Sequence, residues 1–240
     1  MRVIPALLLT SLILSSCHYF WGKRIYGNEH IVSQNRNAGS FNSVEVSGAI
    51  HVRLTQGPNT SIKIQTDENL LEYVKVYTDG NTLVVEPERG FNLQPSKEVI
   101  VFVSAPEFRS LSASGASHID AENRITSSTD MSLHATGASG INVQISGVPK
   151  LTAEASGASN IVLAGQAHEL NASLSGACHL RSFDLVTENA FVDLSGASKA
   201  EVNANRQLNV EASGASDVRY KGSAAVNSKT SGASDVTKVG

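Results

Sequence analysis

The sequence predicts an all-β fold, a parallel β-helix or β-solenoid with coils of about 18–22 residues. Three observations predict it. The motif Ser-Gly-Ala-Ser, or a one-letter variant of it, occurs seven times in tandem between residues 111 and 240. Apolar and polar residues alternate around each copy with the period of two that is typical of β-strands. The repeat is too short for two helices, and its residues are wrong for any helix, because each copy carries a glycine and β-branched residues flank it.

The glycines of the motif determine the coil length. Their successive spacings are 22, 20, 19, 20, 18 and 18 residues, for Gly115, Gly137, Gly157, Gly176, Gly196, Gly214 and Gly232. A strand that recurs at this interval without an intervening helix indicates that one repeat forms one coil and that coils stack on each other. We expect each glycine to mark a bend or a close approach between layers.

Two columns of small and aliphatic residues are the predicted core of the stack, because like positions in stacked coils lie about 4.8 Å apart. The column four residues after each glycine contains Ile119, Ile141, Ile161, Leu180, Ala200, Val218 and Val236. The column two residues before it contains Ala113, Ala135, Ala155, Leu174, Leu194, Ala212 and Thr230. Cys178 replaces a motif serine on this inward parity, where we expect a small buried hydrophobe.

Residues 40–110 contain strand-like segments without the tight repeat, and we predict that they form irregular first coils that cap one end of the stack. Asp79-Gly80 is a hairpin signal, and residues 67–73 are the one helical turn expected in this region. An outlying motif copy, Ser47-Gly48-Ala49, precedes the first tandem copy by 67 residues. That interval leaves room for about three more coils between them.

Residues 1–17 have the features of a lipoprotein signal peptide. Arg2 precedes an apolar run that ends at Leu14 and is shorter than the roughly 20 residues of a membrane span. Leu14-Ser15-Ser16-Cys17 resembles a bacterial lipobox, in which the cysteine is acylated and anchors the protein to a membrane. The alternative is an ordinary signal peptide with an incidental cysteine. Residues 18–39 are interpreted as a tether.

The overall composition limits the possible partners. Charged residues make up 17% of the chain and the net charge is −3, compared with about 25% charged residues in an average soluble domain. No basic stripe of the kind that binds nucleic acid is present in the sequence, so a nucleic-acid partner is not expected. The sequence also gives no reason to expect a cofactor.

Several short segments together are similar to a known family. Phe41-x-x-Val44-x-Val46-Ser47-Gly48, then Gln56-Gly57, then residues 67–71 (Asp-Glu-Asn-Leu-Leu) and the Ser-Gly-Ala repeats resemble the GIN domain, the putative autotransporter adhesin head domain. The resemblance covers residues 40–235. It implies a β-helical protein exported by a Gram-negative bacterium, and it brings no catalytic residues. With the lipobox, the expected location is the cell envelope, at the periplasmic or surface face of the outer membrane.

Neither the histidines nor the carboxylates form a clear catalytic or metal-binding pattern. His118 and His179 share a repeat position but are three coils apart, so no metal site is expected; the seven histidines are interpreted as solvated surface residues. A polysaccharide lyase or hydrolase would need clustered acids or bases. The candidate acid pairs are Glu154 with Asp193 and Asp217 with Asp235, although the charge varies from coil to coil.

The remaining candidate site is a ladder of hydroxyl groups, formed by the first residue of each motif: Ser114, Thr136, Ser156, Ser175, Ser195, Ser213 and Ser231. These residues are either small because tight stacking requires it, or they form a docking surface for a glycan or an envelope protein. The sequence therefore predicts a membrane-anchored, non-enzymatic module for binding, adhesion or structure. The alternative is a carbohydrate-active enzyme on a β-helix scaffold.

The signal sequence generates the first testable prediction. We expect Cys17 to be the mature N-terminus and to carry two or three acyl chains, because it follows an apolar run and two small residues. Mass spectrometry of the protein isolated from its native membrane measures both properties. A mature chain that begins at another residue would contradict the prediction.

Overall fold

The computed structural model describes residues 22–239, so the signal peptide and Cys17 lie outside the described residues. The N-terminal part contains nine strands and one 3-10 helix, Glu68–Tyr73. The strands are β1 (Lys23–Tyr26), β2 (Ile31–Arg36), β3 (Ser43–Val46), β4 (Ile50–Gln56), β5 (Ser61–Asp67), β6 (Val74–Asp79), β7 (Thr82–Pro87), β8 (Phe91–Gln94) and β9 (Val99–Ala105). The helix and the β6–β7 hairpin lie where the sequence predicts them.

The repeat region contains eleven strands, several of which run from one glycine corner to the next. They are β10 (Ser110–Ala113), β11 (His118–Ala121), β12 (Ile125–Thr126), β13 (Met131–Gly137), β14 (Gly140–Gly157), β15 (Asn160–Gly176), β16 (His179–Gly196), β17 (Lys199–Ala212), β18 (Asp217–Lys221), β19 (Ala225–Thr230) and β20 (Asp235–Lys238). Successive coils pair in parallel, and the predicted β-solenoid is confirmed.

Both predicted core columns are aligned in the stack. Ile141, for example, lies opposite Ile119 in one neighbouring coil and opposite Ile161 in the other. Every member of the two columns is buried except in the last coil, where Thr230 is exposed and Val236 is half-buried. Within the described chain no further coil stacks on that end, so these two residues lack the cover that the others have.

The glycine corner is the most regular feature of the stack. All seven tandem glycines have φ between +73° and +96°, a conformation that side chains with a Cβ rarely adopt. A Cβ on Gly157 would also lie 2.6 Å from the carbonyl oxygen of Gly137 in the coil below. In every coil the N–H of the alanine after the glycine donates to the carbonyl oxygen of the motif glycine in the coil below, at 2.7 Å. The corner therefore requires glycine for both its backbone angle and its close approach.

The fourth motif residue is buried in every coil except the last, where it is half-buried. Its hydroxyl satisfies the backbone at the corner: Ser159 Oγ donates to the Ser156 carbonyl at 2.9 Å, and Ser198 Oγ to that of Ser195 at 3.0 Å. Cys178 occupies the same place, is 2% exposed and donates from Sγ to the Ser175 carbonyl at 3.2 Å. This agrees with the interpretation of Cys178 as a small buried residue.

The outlying motif copy belongs to the same stack. The N–H of Ala116 donates to the Gly48 carbonyl at 2.7 Å, and β3 and β4 pair directly with β10 and β11. The expectation of about three coils between these copies is therefore wrong. The intervening residues lie on the other side of β3 and β4, where β7 and β9 add parallel strands. Antiparallel pairing of β2–β5, β5–β9 and β6–β7 then covers that end.

The interpretation of residues 18–39 as a tether is wrong for the part that the structure describes. β1 pairs with β8, and β2 pairs with β5. The buried carboxylate of Asp67 joins these segments, accepting hydrogen bonds from the backbone N–H of Glu29 at 2.7 Å and from the N–H and Oγ of Ser96 at 2.9 and 2.6 Å. Burial raises the pKa of Asp67, but these hydrogen bonds outweigh it and hold the pKa below its ordinary value.

The core columns give a prediction about stability. Ile161→Asp places an unpaired carboxylate at a position that is 0% exposed, which costs several kcal/mol, on the order of the stability of a small domain. We expect this variant to lose cooperative unfolding in thermal melts followed by circular dichroism. The matched control is Asn160→Asp, one residue earlier on the outward parity, which we expect to melt like the parent. Equal stability of the two variants would contradict the observed register.

Candidate binding face

The strand that leads into each glycine presents three outward columns, and we call this surface the ladder face. One column lies five residues before the glycine: Ser110, Ser132, Thr152, Asn171, Phe191, Asn209 and Asn227. The next lies three residues before it: Ser112, His134, Glu154, Ser173, Asp193, Glu211 and Lys229. The third is the hydroxyl ladder, one residue before the glycine. The strands are in register, so each column runs straight along the stack.

The structure brings the predicted hydroxyl ladder together as a line. Thr136, Ser156, Ser175 and Ser195 lie opposite one another in four successive coils. The seven members are half-buried or exposed, and all seven motif alanines beside them are exposed. The ladder is therefore accessible. Its hydroxyls have little role in the corner, since the hydrogen bonds of Ser114 and Ser213 to backbone carbonyls are long, at 3.4 Å.

Charges on the ladder face are mostly paired. Glu154 Oε2 lies 3.1 Å from His134 Nδ1, and Glu211 Oε1 lies 3.0 Å from Lys229 Nζ. Between them, Asp193 has no cation within 4.0 Å among residues 22–239. Ser173 separates Glu154 from Asp193 in register, so this candidate acid pair is two coils, or about 10 Å, apart. The other candidate pair, Asp217 and Asp235, is adjacent in register but lies on a different face.

Two shallow grooves cross the ladder face. The larger, about 430 Å³, surrounds Phe191, and the smaller, about 190 Å³, lies between His134 and the hydroxyl ladder. Glu154 and Ser173 line both grooves, so the two grooves are adjacent. Phe191 is not among the site residues expected from the sequence. The signal was present, however, because Phe191 is the one aromatic residue in an outward column whose other members are serine, threonine and asparagine.

A separate cavity of about 720 Å³ lies where the cap meets the first glycine corners. Its walls include the apolar side chains of Ile50, Pro87, Phe91, Leu93 and Val99. The motif residues of the first two coils, 47–49 and 114–116, form another wall. The sequence could not indicate this cavity, because it depends on β3 lying directly beside β10.

His51 departs from the expectation of solvated histidines. Its side chain is 14% exposed, with Nε2 2.6 Å from Asp120 Oδ2 and Nδ1 3.1 Å from Glu98 Oε1. The ring of His118 lies edge-on to it at 6.2 Å. The interpretation as a solvated surface residue is therefore wrong for His51. The repeat pattern could not predict this cluster, because Glu98 belongs to the cap and His51 to the outlying coil.

His179 is separated from His118 by Gly140 and Asn160, as the spacing predicts. Burial, and then the cations of Arg181 and Lys199, lower the pKa of His179, which Glu201 opposes. Among residues 22–239, the histidine, cysteine and acidic side chains form no group of three or more suited to a metal ion. In the same range no helix is long and apolar enough to span a bilayer.

The parallel coils, the antiparallel cap and the polar ladder face define a capped β-solenoid domain. Over residues 40–224 the chain matches the family described as "Putative auto-transporter adhesin, head GIN domain". The match covers most of the chain, so the protein belongs to this family, and the resemblance noted from the sequence is confirmed.

Solved structures share the fold at low sequence identity. A putative adhesin from Bacteroides fragilis superposes with a TM-score of 0.84 and 18% identity, over 90% of this chain and 100% of that one. A putative lipid binding protein from Parabacteroides distasonis has a TM-score of 0.73 and 18% identity, over 91% and 100%. A putative adhesin from Parabacteroides merdae has 0.71 and 21%, over 91% and 100%. No curated protein matches the chain in sequence.

Proposed function

We propose that this protein is a non-enzymatic binding module of the cell envelope, held at a membrane by acylated Cys17, and that the ladder face binds an extended glycan or envelope protein. The observation that carries the proposal is the ladder face itself. Hydroxyl groups repeat in register along the sheet, and the hydrogen bonds that Ser114 and Ser213 give to the corner are long. The family description and the names of two structural relatives support an adhesin.

The spacing of the ladder suits a repeating ligand. Hydroxyls about 4.8 Å apart present both donors and acceptors, and each hydrogen bond contributes about 1 kcal/mol net. One coil alone would therefore bind weakly. An elongated partner that contacts several coils gains affinity from each of them, and a sheet whose corners are already fixed loses little conformational entropy on binding.

Binding is preferred to catalysis because the ionisable groups of this face are not arranged for chemistry. General acid–base cleavage of a glycoside needs two carboxyl groups flanking one bond. On the ladder face Glu211, the register neighbour of Asp193, is held in an ion pair with Lys229, and Glu154 is in contact with His134 and two coils from Asp193. The runner-up, a polysaccharide lyase or hydrolase, would be supported by cleavage of a polysaccharide by the purified protein.

The test replaces Ser156, Ser175 and Ser195 together by alanine. We expect the melting temperature to stay within about 2 °C of the parent, because the three hydroxyls contribute little to the corner and exposed substitutions are usually nearly neutral. Binding to a ligand found on a glycan array or by pull-down should be lost. The readouts are a thermal melt and a binding titration on the same samples.

The matched control uses the buried serines of the same coils. Ser159→Ala with Ser198→Ala removes the corner hydrogen bonds to the carbonyls of Ser156 and Ser195 and should lower stability while leaving the outward columns intact. If the ladder triple variant is the one that loses stability, the outer serines serve the fold and the proposal fails.

A second candidate function, the binding of an apolar ligand, is favoured by the cavity beside the cap. Its volume of about 720 Å³ lies within the range of small-molecule sites, and several of its walls are aliphatic or aromatic. One structural relative is named a putative lipid binding protein. A single fatty acyl chain is the ligand class that these walls would accept.

Ala49→Trp tests this candidate by filling the cavity from its wall. Ala49 is an exposed motif alanine that lines the cavity, whereas Ala138 occupies the same motif position outside it. Titration with the fluorescent fatty acid cis-parinaric acid should show saturable binding to the parent and to Ala138→Trp, and at least about tenfold weaker binding to Ala49→Trp. Equal binding by all three proteins would place the fatty acid elsewhere.

A further inference from the structure

Phe191 is an exposed aromatic ring in the middle of a polar sheet. It lies in β16, 41% exposed, and the neighbouring coils place Asn171 and Asn209 directly opposite it. Among residues 22–239 the other large hydrophobic side chains that are exposed are Tyr26, Tyr77, Val186 and Val226, and these lie outside the three columns of the ladder face. The core does not require Phe191, because inward positions alternate with it along the strand.

The surroundings of the ring are built from hydrogen-bonding groups. The groove of about 430 Å³ has amides at Asn171 and Asn209, a hydroxyl at Ser173 and a carboxylate at Asp193. Asp193 is two residues from Phe191 on the same strand, so both side chains point to the same side of the sheet. It is also the ladder-face carboxylate without an ion-pair or hydrogen-bond partner within the described chain, so it keeps its full capacity to accept hydrogen bonds.

Part of this polar rim is already oriented. Gln207 Nε2 donates to Asn209 Oδ1 at 3.3 Å, which leaves the amide N–H groups of Asn209 as donors. When its amide is oriented to satisfy both polar atoms, Asn171 accepts from Lys150 Nζ at 2.9 Å and donates to Glu169 Oε1 at 3.3 Å. Contacts of this kind reduce the rotamer freedom that binding would otherwise remove.

A ring surrounded by amides and a carboxylate matches one ligand chemistry in particular. A pyranose has an apolar face of C–H groups, which packs on an aromatic ring through dispersion and weak C–H contacts. It also has hydroxyls around its edge, which donate to a carboxylate in strong, charge-assisted hydrogen bonds and exchange hydrogen bonds with amides. The ring and rim of this groove provide complements to both parts of the sugar.

An organic cation is the competing ligand, since ammonium groups also bind over aromatic faces. The charges of the groove disfavour it. Glu154 and Glu211 lie at the two sides of the groove; Glu211 is in an ion pair with Lys229, and Glu154 Oε2 lies 3.1 Å from His134 Nδ1. Among residues 22–239 this leaves Asp193 as the one carboxylate of the groove with neither kind of contact. Cation recognition would gain more from several unpaired carboxylates than from the amides and hydroxyls found here.

From this geometry we propose that Phe191, Asp193 and Asn209 form a carbohydrate subsite that stacks one pyranose ring on Phe191. The proposal rests on the proposed function, because it names the ligand class and the anchoring residue of the ladder face. The subsite continues through Glu154 and Ser173 into the smaller groove, so a glycan anchored on Phe191 extends towards Ser156 and Ser175 of the hydroxyl ladder.

The experiment measures binding of cellohexaose, chitohexaose and mannohexaose to the full mature chain by isothermal titration calorimetry. We expect saturable binding of at least one of these saccharides. Phe191→Ala should weaken it about tenfold or more, because a central aromatic contact is lost. Phe191→Trp should retain or improve it, because the larger ring offers more stacking surface, and saccharide should change the fluorescence of the new indole.

The matched control is Tyr77→Ala. Tyr77 is exposed to nearly the same extent, 44%, but lies in the cap hairpin. In the strand order β16-β15-β14-β13-β10-β3-β7-β6 it is seven strands, or about 34 Å, from Phe191, so its removal should leave saccharide affinity unchanged. Thermal melts of all variants should coincide with the parent. Loss of binding in Phe191→Ala at unchanged stability, together with rescue by Phe191→Trp, supports the subsite.

Other outcomes separate the subsite from the proposed function. Saccharide binding that is lost in the triple serine variant but unchanged in Phe191→Ala overturns the subsite and leaves the binding face. Saturable binding of tetramethylammonium that requires Phe191, without saccharide binding, overturns the carbohydrate assignment in favour of a cation site. The absence of binding by any of the three saccharides overturns the subsite as well.

Discussion

The contact on which this structure depends is the hydrogen bond from each motif alanine N–H to the glycine carbonyl of the coil below, 2.7 Å long in every coil. At that separation the corners of two coils almost touch, and only a residue without a Cβ fits, with positive φ. Residues on both sides of the corner are then held in register. The uniform columns of the core and of the ladder face follow from this repeated contact.

A stack built in this way has ends, and the two ends differ. At the N-terminal end antiparallel strands and the Asp67 hydrogen bonds cover the first coil, which protects backbone groups that would otherwise form an open edge. At the C-terminal end of the described chain, β19 and β20 each pair with one strand, and their residues are mostly exposed. Cooperative stability therefore depends on the interior coils, where each has two neighbours.

Inward and outward positions of the same strands serve different purposes. Most inward residues are small or aliphatic, because neighbouring coils and the opposite side of the coil leave little room. Outward residues vary widely, from serine to glutamate to phenylalanine, at equivalent positions. Outward positions that the fold does not constrain are available for recognition. The proposed subsite lies where two such positions on one strand hold Phe191 and Asp193.

The sequence by itself determined the solenoid, its coil length, both core columns and the line of hydroxyls, because a short tandem repeat with period-two alternation permits few other structures. The sequence also contains the signal for Phe191, the one aromatic residue in its outward column. Tertiary structure decided the rest. Gly48 lies beside Gly115, and β1 and β2 belong to the cap. His51 lies between Glu98 and Asp120, and a cavity lies beside the cap. These features depend on contacts between residues that are 20 to 70 positions apart in the sequence. Because no repeat relates these residues to each other, local periodicity cannot predict which of them are in contact.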